Sequence, residues 1–116
     1  MKLIIAGSRG FTSYETLKAT LKKLNLEEKN LIVISGCARG ADILGEQWAY
    51  DFGKPLMRMP ADWDKHGKSA GYRRNEEMAK IATHLVAFWD GQSRGTKHMI
   101  DLAEEYQLLI HVKAIG

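Results

Sequence analysis

The chain has 116 residues, 45% hydrophobic and 27% charged, enough for one soluble globular domain that buries a core without disulfides. No apolar run approaches the roughly 20 residues of a bilayer span, and the run in MKLIIAGSRG is too short for a secretory leader and is expected to be a first strand. One cysteine cannot form an internal disulfide, which points to a reducing, cytoplasmic setting, and a formal charge of +3 permits an anionic partner without demanding nucleic acid.

Apolar runs alternate with helical patterns along the chain. Lys2–Ala6 reads as a strand. Thr12-Ser13-Tyr14-Glu15 has the spacing of a capping box and opens a helix with Leu17, Leu21 and Leu24 on one face. Leu31–Ser35 is a second strand, and the helix expected from Asp42 to Phe52 carries Ile43, Gln47 and Tyr50 on one face. Pro55–Met59 is a third strand. The stretch PADWDKHGKSAGYRRN, Pro60 to Asn75, reads as a long irregular connection, of the kind usually kept for function. A helix from Asn75 to Ala82 with Met78, Ala79 and Ala82 follows, then a strand at His84–Trp89. A helix from Thr96 to Tyr106 with Met99, Ala103 and Tyr106, and a strand at Leu108–Val112, complete the chain. The strands are near-continuous in apolar residues, as strands buried on both faces are. The alternation predicts an α/β fold: a single Rossmann-like domain, residues 1–116, with a five-stranded parallel sheet and helices on both faces.

In such a sheet, ligands bind beyond the carboxyl ends of the strands. The segments leaving those ends are GSRGF, SGCARGAD, ADWDKHGKSAGYRRN and DGQSRGT. With the lysine that follows the last of them they hold Arg9, Arg39, Lys65, Lys68, Arg73, Arg74, Arg94 and Lys97, eight of the 17 Lys and Arg. Each also contains glycine, which allows close backbone approach, and each leads towards a helix whose first N–H groups are unpaired. Any one of these loops is accounted for by turn chemistry alone. Together they predict a site for an anionic ligand. GSRGFTS lacks the Lys-Ser/Thr end of a Walker loop, and GCARGA is not G-x-G-x-x-G. ATP hydrolysis and nicotinamide hydride chemistry are therefore disfavoured, and no cofactor is expected.

Taken in order, GSRGF, SGCARGAD, AGYRRNEEM and FWDGQSRGTKHMI resemble the SLOG superfamily (Smf/DprA and Lonely Guy proteins), in its YspA/YpsA-related branch, found in bacteria and phages. The resemblance implies a sheet in the order 3-2-1-4-5 and a pocket for a nucleotide or ribose-phosphate derivative. It further implies that Gly7, Ser8 and Arg9 line that pocket beside the first helix, and that Gly36, Arg39, Gly40, Ala41 and Asp42 form a second wall. Arg74 and Asn75 match the family's Arg-Asn pair, and Gly91, Ser93, Gly95 and Thr96 meet the phosphate. Among relatives, Lonely Guy proteins cleave the N-glycosidic bond of nucleoside monophosphates and DprA binds single-stranded DNA. Both activities stand as alternatives to simple binding. Two positions depart from the pattern: Met99 occupies the Lonely Guy glutamate position, and Cys37 replaces a glycine of the branch.

Without that glutamate, Asp42 and Glu46, four residues apart, are the candidate carboxylates for glycosidic cleavage. Equally, Asp42 caps the second helix and Glu46 is solvated. Asp62 and Asp64 read as exposed loop charge. Cys37 has no histidine placed near it by sequence and reads as a small packing thiol. The four histidines, His66, His84, His98 and His111, show no ligand spacing, so no metal site is expected. Phe11, Trp63, Tyr72 and Trp89 fall near the ligand edge, where an aromatic either stacks on a base or closes the core. A homodimer, with Trp48 among its surfaces, is compatible with the pattern.

Overall fold

The first strand sends its side chains alternately to two sides, and each side has its own core. A computed structural model describes all residues, 1–116. Strand β1 (Lys2–Gly7) directs Leu3 and Ile5 into one cluster and Ile4 and Ala6 into the other. β2 (Ile32–Ser35) divides in the same way, Val33 to the first cluster and Ile34 to the second, and β4 (His84–Trp89) supplies Val86 and Phe88 to the first, Leu85 and Ala87 to the second. β3 (Leu56–Arg58) and β5 (Leu109–Ala114) complete a five-stranded, all-parallel sheet in the order β3-β2-β1-β4-β5. Burial on both faces holds for β1, β2 and β4. The two edge strands are largely exposed, with Leu109 at 68%.

Helices α1 (Tyr14–Lys23) and α2 (Ala41–Asp51) cover one face through Leu17, Leu21, Ala41, Trp48 and Ala49. A four-residue helix α3 (Trp63–His66) and a 3-10 turn (Gly67–Ser69) precede α4 (Ala70–Ile81). The opposite face is covered by α4 through Met78 and Ala79, and by α5 (Arg94–Glu105) through Met99, Ile100, Leu102 and Ala103. The change of face follows from the strand order. The chain steps outward from β1 to β3, then returns past β1 to β4, and right-handed crossovers run in opposite directions lie on opposite faces. The carboxyl ends of β1 and β4 are therefore where the connections part. No helix is long and apolar enough to cross a membrane.

Several expectations need correction. The cap of α1 is Ser13, whose Oγ accepts from the Thr16 N–H at 3.2 Å, one residue beyond the expected capping box. On α2, Ile43, Gln47 and Tyr50 form the solvent face, with Tyr50 at 88% exposure. The helix lies too close to the sheet for large residues over most of its inner face: a Cβ at Gly45 would sit 3.0 Å from Ile5. Trp48, fully buried there, is not available to a dimer surface. Phe11 is likewise interior, stacked on Phe88 with ring centroids 4.8 Å apart. The supposedly irregular stretch 60–75 contains α3, the 3-10 turn and the first turns of α4, which begins at Ala70 rather than Asn75. α5 likewise starts at Arg94 rather than Thr96.

Candidate functional site

Where β1 and β4 part, the loop after β1 is locked to its neighbours on both sides. Ser8 N–H donates to the Phe88 carbonyl at 3.0 Å, and the Asp90 N–H points to Ser8 Oγ at 3.4 Å. On the other side, Gly40 has φ +82°, and a Cβ there would overlap the Ser8 and Arg9 carbonyls. Only glycine lets the loop after β2 close against the loop after β1.

SGCARGAD forms the next wall. Cys37 adopts a left-handed φ of 66°, an uncommon conformation for a residue with a Cβ. The turn is held by its N–H donating to Ser35 Oγ at 3.0 Å, and that hydroxyl donates in turn to Glu46 Oε2 at 2.6 Å. Arg58 Nε reaches the same carboxylate oxygen at 3.2 Å. Glu46 thus braces the sheet end and does not line the cleft, although it lies one turn from Asp42.

Asp42 does line the cleft and is buried; its Oδ2 accepts the Ala38 N–H at 3.1 Å. Burial pushes its carboxyl up to about 6, more than the Ala38 N–H and the Arg74 charge pull it down. Arg74 is half-buried and tethered: its Nη1 donates to the Gly36 carbonyl and its Nε to Asn75 Oδ1 at 3.0 Å. A Cβ at Gly36 would stand 2.8 Å from Asp42 Oδ2 and 2.9 Å from Arg74 Nη1, so glycine makes room for both groups. Asn75 Nδ2 in turn lies 3.3 Å from His98 Nδ1.

The last wall is the start of α5. Asp90 Oδ1 accepts the Gln92 and Ser93 N–H groups, both at 2.8 Å, and these bonds hold its carboxyl below the usual range. Gly91, at φ +82°, allows that turn and is outside the cleft lining. Ser93 caps the helix, its Oγ accepting from the Thr96 N–H at 3.4 Å. The Arg94 and Gly95 N–H groups find no protein acceptor.

These walls enclose one cleft with two lobes, of about 470 Å³ beside α5 and about 600 Å³ towards α3 and α4. Arg9, Ala38, Arg74, Asn75 and Gly95 line both lobes. Of the expected residues, Gly7, Ser8, Arg9, Gly36, Arg39, Asp42, Arg74, Asn75, Ser93, Gly95 and Thr96 line the cleft, while Gly40, Glu46 and Gly91 shape it from outside. Lys68 and Arg94, from the cations expected at this edge, and Trp63 and Tyr72, from its aromatics, also line it. Asp62 was the available signal for the first of these elements: its side chain accepts from the Lys65 N–H at 3.1 Å and starts α3.

Residues 1–66, more than half of the chain, match the YspA, cpYpsA-related SLOG family. The protein belongs to that family. This SLOG domain is also 33% identical over 111 residues to the Gene 61 protein of Mycobacterium phage D29, an alignment covering 90% of this chain and 89% of that one. Its fold is similar to that of DNA processing protein A (DprA) from Streptococcus pneumoniae, with a TM-score of 0.77 at 17% identity over 99% of this chain. The SLOG domain spans 50% of the DprA chain. At that identity the likeness establishes the fold, in the sheet order the resemblance implied.

Proposed function

We propose that this SLOG domain binds a nucleotide or a nucleotide-derived ribose phosphate in the cleft at the carboxyl edge of its sheet. The observation that carries the reading is an excess of positive charge. Arg9, Arg39, Lys68, Arg74 and Arg94 all line the cleft, and none lies within ion-pair distance of a protein carboxylate. The two carboxylates in the lining, Asp42 and Asp90, are outnumbered by these five cations, which repel one another, and a bound anion relieves that repulsion. In this reading Arg9, Arg39 and Arg74 hold phosphate from one side, and the free Arg94 and Gly95 N–H groups receive it from the other. Membership in the SLOG family supports a nucleotide-related or ribose-phosphate ligand at the level of the family.

Thermal melts with inorganic phosphate, ribose 5-phosphate, adenosine and nucleoside monophosphates test the reading. Phosphate-bearing compounds are expected to raise the melting temperature saturably. A flat response across the set overturns it. Arg39→Ala is expected to weaken phosphate-bearing ligands about tenfold, roughly one charge-assisted hydrogen bond, and to weaken adenosine much less; equal losses contradict its role.

Asp42 favours a second reading, cleavage of an N-glycosidic bond, because a buried carboxyl that titrates near neutrality in a cleft suits proton transfer to a leaving base. With Met99 at the position of the Lonely Guy glutamate and Glu46 engaged by Ser35 and Arg58, Asp42 is the candidate acid; Asp90, the other carboxylate lining the cleft, is held ionised by the Gln92 and Ser93 N–H groups. Release of free base from a nucleoside monophosphate, abolished by Asp42→Asn, decides for cleavage; intact nucleotide alongside saturable stabilisation decides for binding alone. Single-stranded DNA binding on the same edge is distinguished by its steep loss of affinity with salt.

A further inference from the structure

We infer that the larger lobe is a nucleobase platform built from Trp63 and Tyr72, so that the ligand is a nucleoside phosphate lying across both lobes with its base on α3 and α4. The inference rests on the phosphate reading above, which it deepens. Large aromatic rings are normally covered, yet Trp63 and Tyr72 are 55% and 48% exposed, and both open into the same lobe. The smaller lobe, with the start of α5, contains neither ring. Pro60 and Ala61 add apolar surface beside the rings, and Arg39 and Lys68 add two cations that the smaller lobe lacks, each able to lie against a base. A phosphate alone fills little of a 600 Å³ lobe, and a cation-lined lobe with two open rings matches the π-face of a base.

The rings are also held in place, as a binding surface requires. Trp63 is the first residue of α3, behind the Asp62 cap, and its carbonyl accepts the Gly67 N–H. A Cβ at Gly71 would lie 3.5 Å from Trp63 Cη2, so the indole rests close over the first turn of α4. The Tyr72 ring meets His98 edge-on, with centroids 4.5 Å apart, and His98 belongs to the helix whose start faces the phosphate lobe. Base platform and phosphate lobe are thus tied through one side-chain contact.

Titration of the whole protein with AMP, GMP, CMP, UMP and ribose 5-phosphate tests the inference, read by calorimetry and by the change in tryptophan emission. The best nucleotide is expected to bind about tenfold or more tighter than ribose 5-phosphate, the gain that one stacked base brings. Trp63→Leu is expected to reduce that nucleotide to the ribose 5-phosphate level while leaving ribose 5-phosphate itself unchanged. Trp63→Phe, which keeps a ring, is expected to retain most of the advantage. Trp63 is exposed, so the fold tolerates both changes. Ribose 5-phosphate binding as tightly as every nucleotide overturns the platform and leaves the phosphate reading standing. Equal loss of both ligand types in Trp63→Leu does the same. No binding of any compound overturns both.

Discussion

At the scale of single residues, Asp42 is the group whose state has the widest effect. Its carboxyl ordinarily titrates at 3.8 and is pushed up to about 6 in the folded protein, with burial the largest cause. Between those values the native state holds a proton that the unfolded chain has released, so stability falls as pH rises from about 4 to about 6. Above that range the penalty is constant, on the order of 3 kcal/mol. Asp42→Asn keeps an oxygen to accept the Ala38 N–H and carries no charge. Urea melts at several pH values are expected to show a flat profile for the variant over this window and a gain of about 2–3 kcal/mol at pH 7. Parallel profiles for the two proteins contradict the assignment. Glu46 shows why the same spacing yields different roles. It shares a helix face with Asp42, but its longer side chain meets Ser35 and Arg58 and is held away from the cleft.

At the scale of elements, two glycines with the same φ separate conformation from collision. Gly40 and Gly91 both have φ +82°, but a Cβ at Gly40 meets the Ser8 and Arg9 carbonyls, while one at Gly91 meets nothing within 4 Å. Gly91→Ala is expected to cost about 1 kcal/mol, the left-handed penalty alone. Gly40→Ala adds the parting of two loops and is expected to cost at least about 2 kcal/mol and to weaken ligand binding. Chemical denaturation of both variants measures the difference, and equal costs would remove the claim that the loops clasp. Both glycines stand in motifs visible in the sequence, but only packing distinguishes them. The strands at the sheet centre were legible because burial on both faces leaves an uninterrupted apolar run. The inner face of α2 was not, because its close approach selects Ala41, Gly45 and Ala49, and periodicity weighted towards large residues chose Ile43 and Tyr50 instead. The start of α4 was hidden in the same way: Gly67 and Gly71 read as loop, whereas Gly71 sits inside the helix under the Trp63 ring. The cleft was more legible than its surroundings, since each strand end announces itself by glycine and a cation.

At the scale of the whole molecule, the sheet order gives β1 the central place, paired with β2 on one side and β4 on the other. Its register pairs Lys2 with Ile32 and Leu3 with His84, so one side is local and the other spans most of the chain. The second core takes Leu85, Ala87, Met99 and Ala103 from the late part of the sequence, and the α5 wall of the cleft comes from there too. A fragment of residues 1–82 therefore keeps β1, β2 and β3 but lacks six of the eleven residues of the second core. It is expected to show no cooperative melt alone and to regain one, with ligand binding, when residues 83–116 are added as a separate peptide. A cooperative transition in the isolated fragment contradicts this account. β1 thus gains its second neighbour only after β2, β3 and the helices between have been made. A growing chain carries β1 with one edge open until β4 has left the ribosome, and the interval between those events is when this protein is most exposed to mispairing.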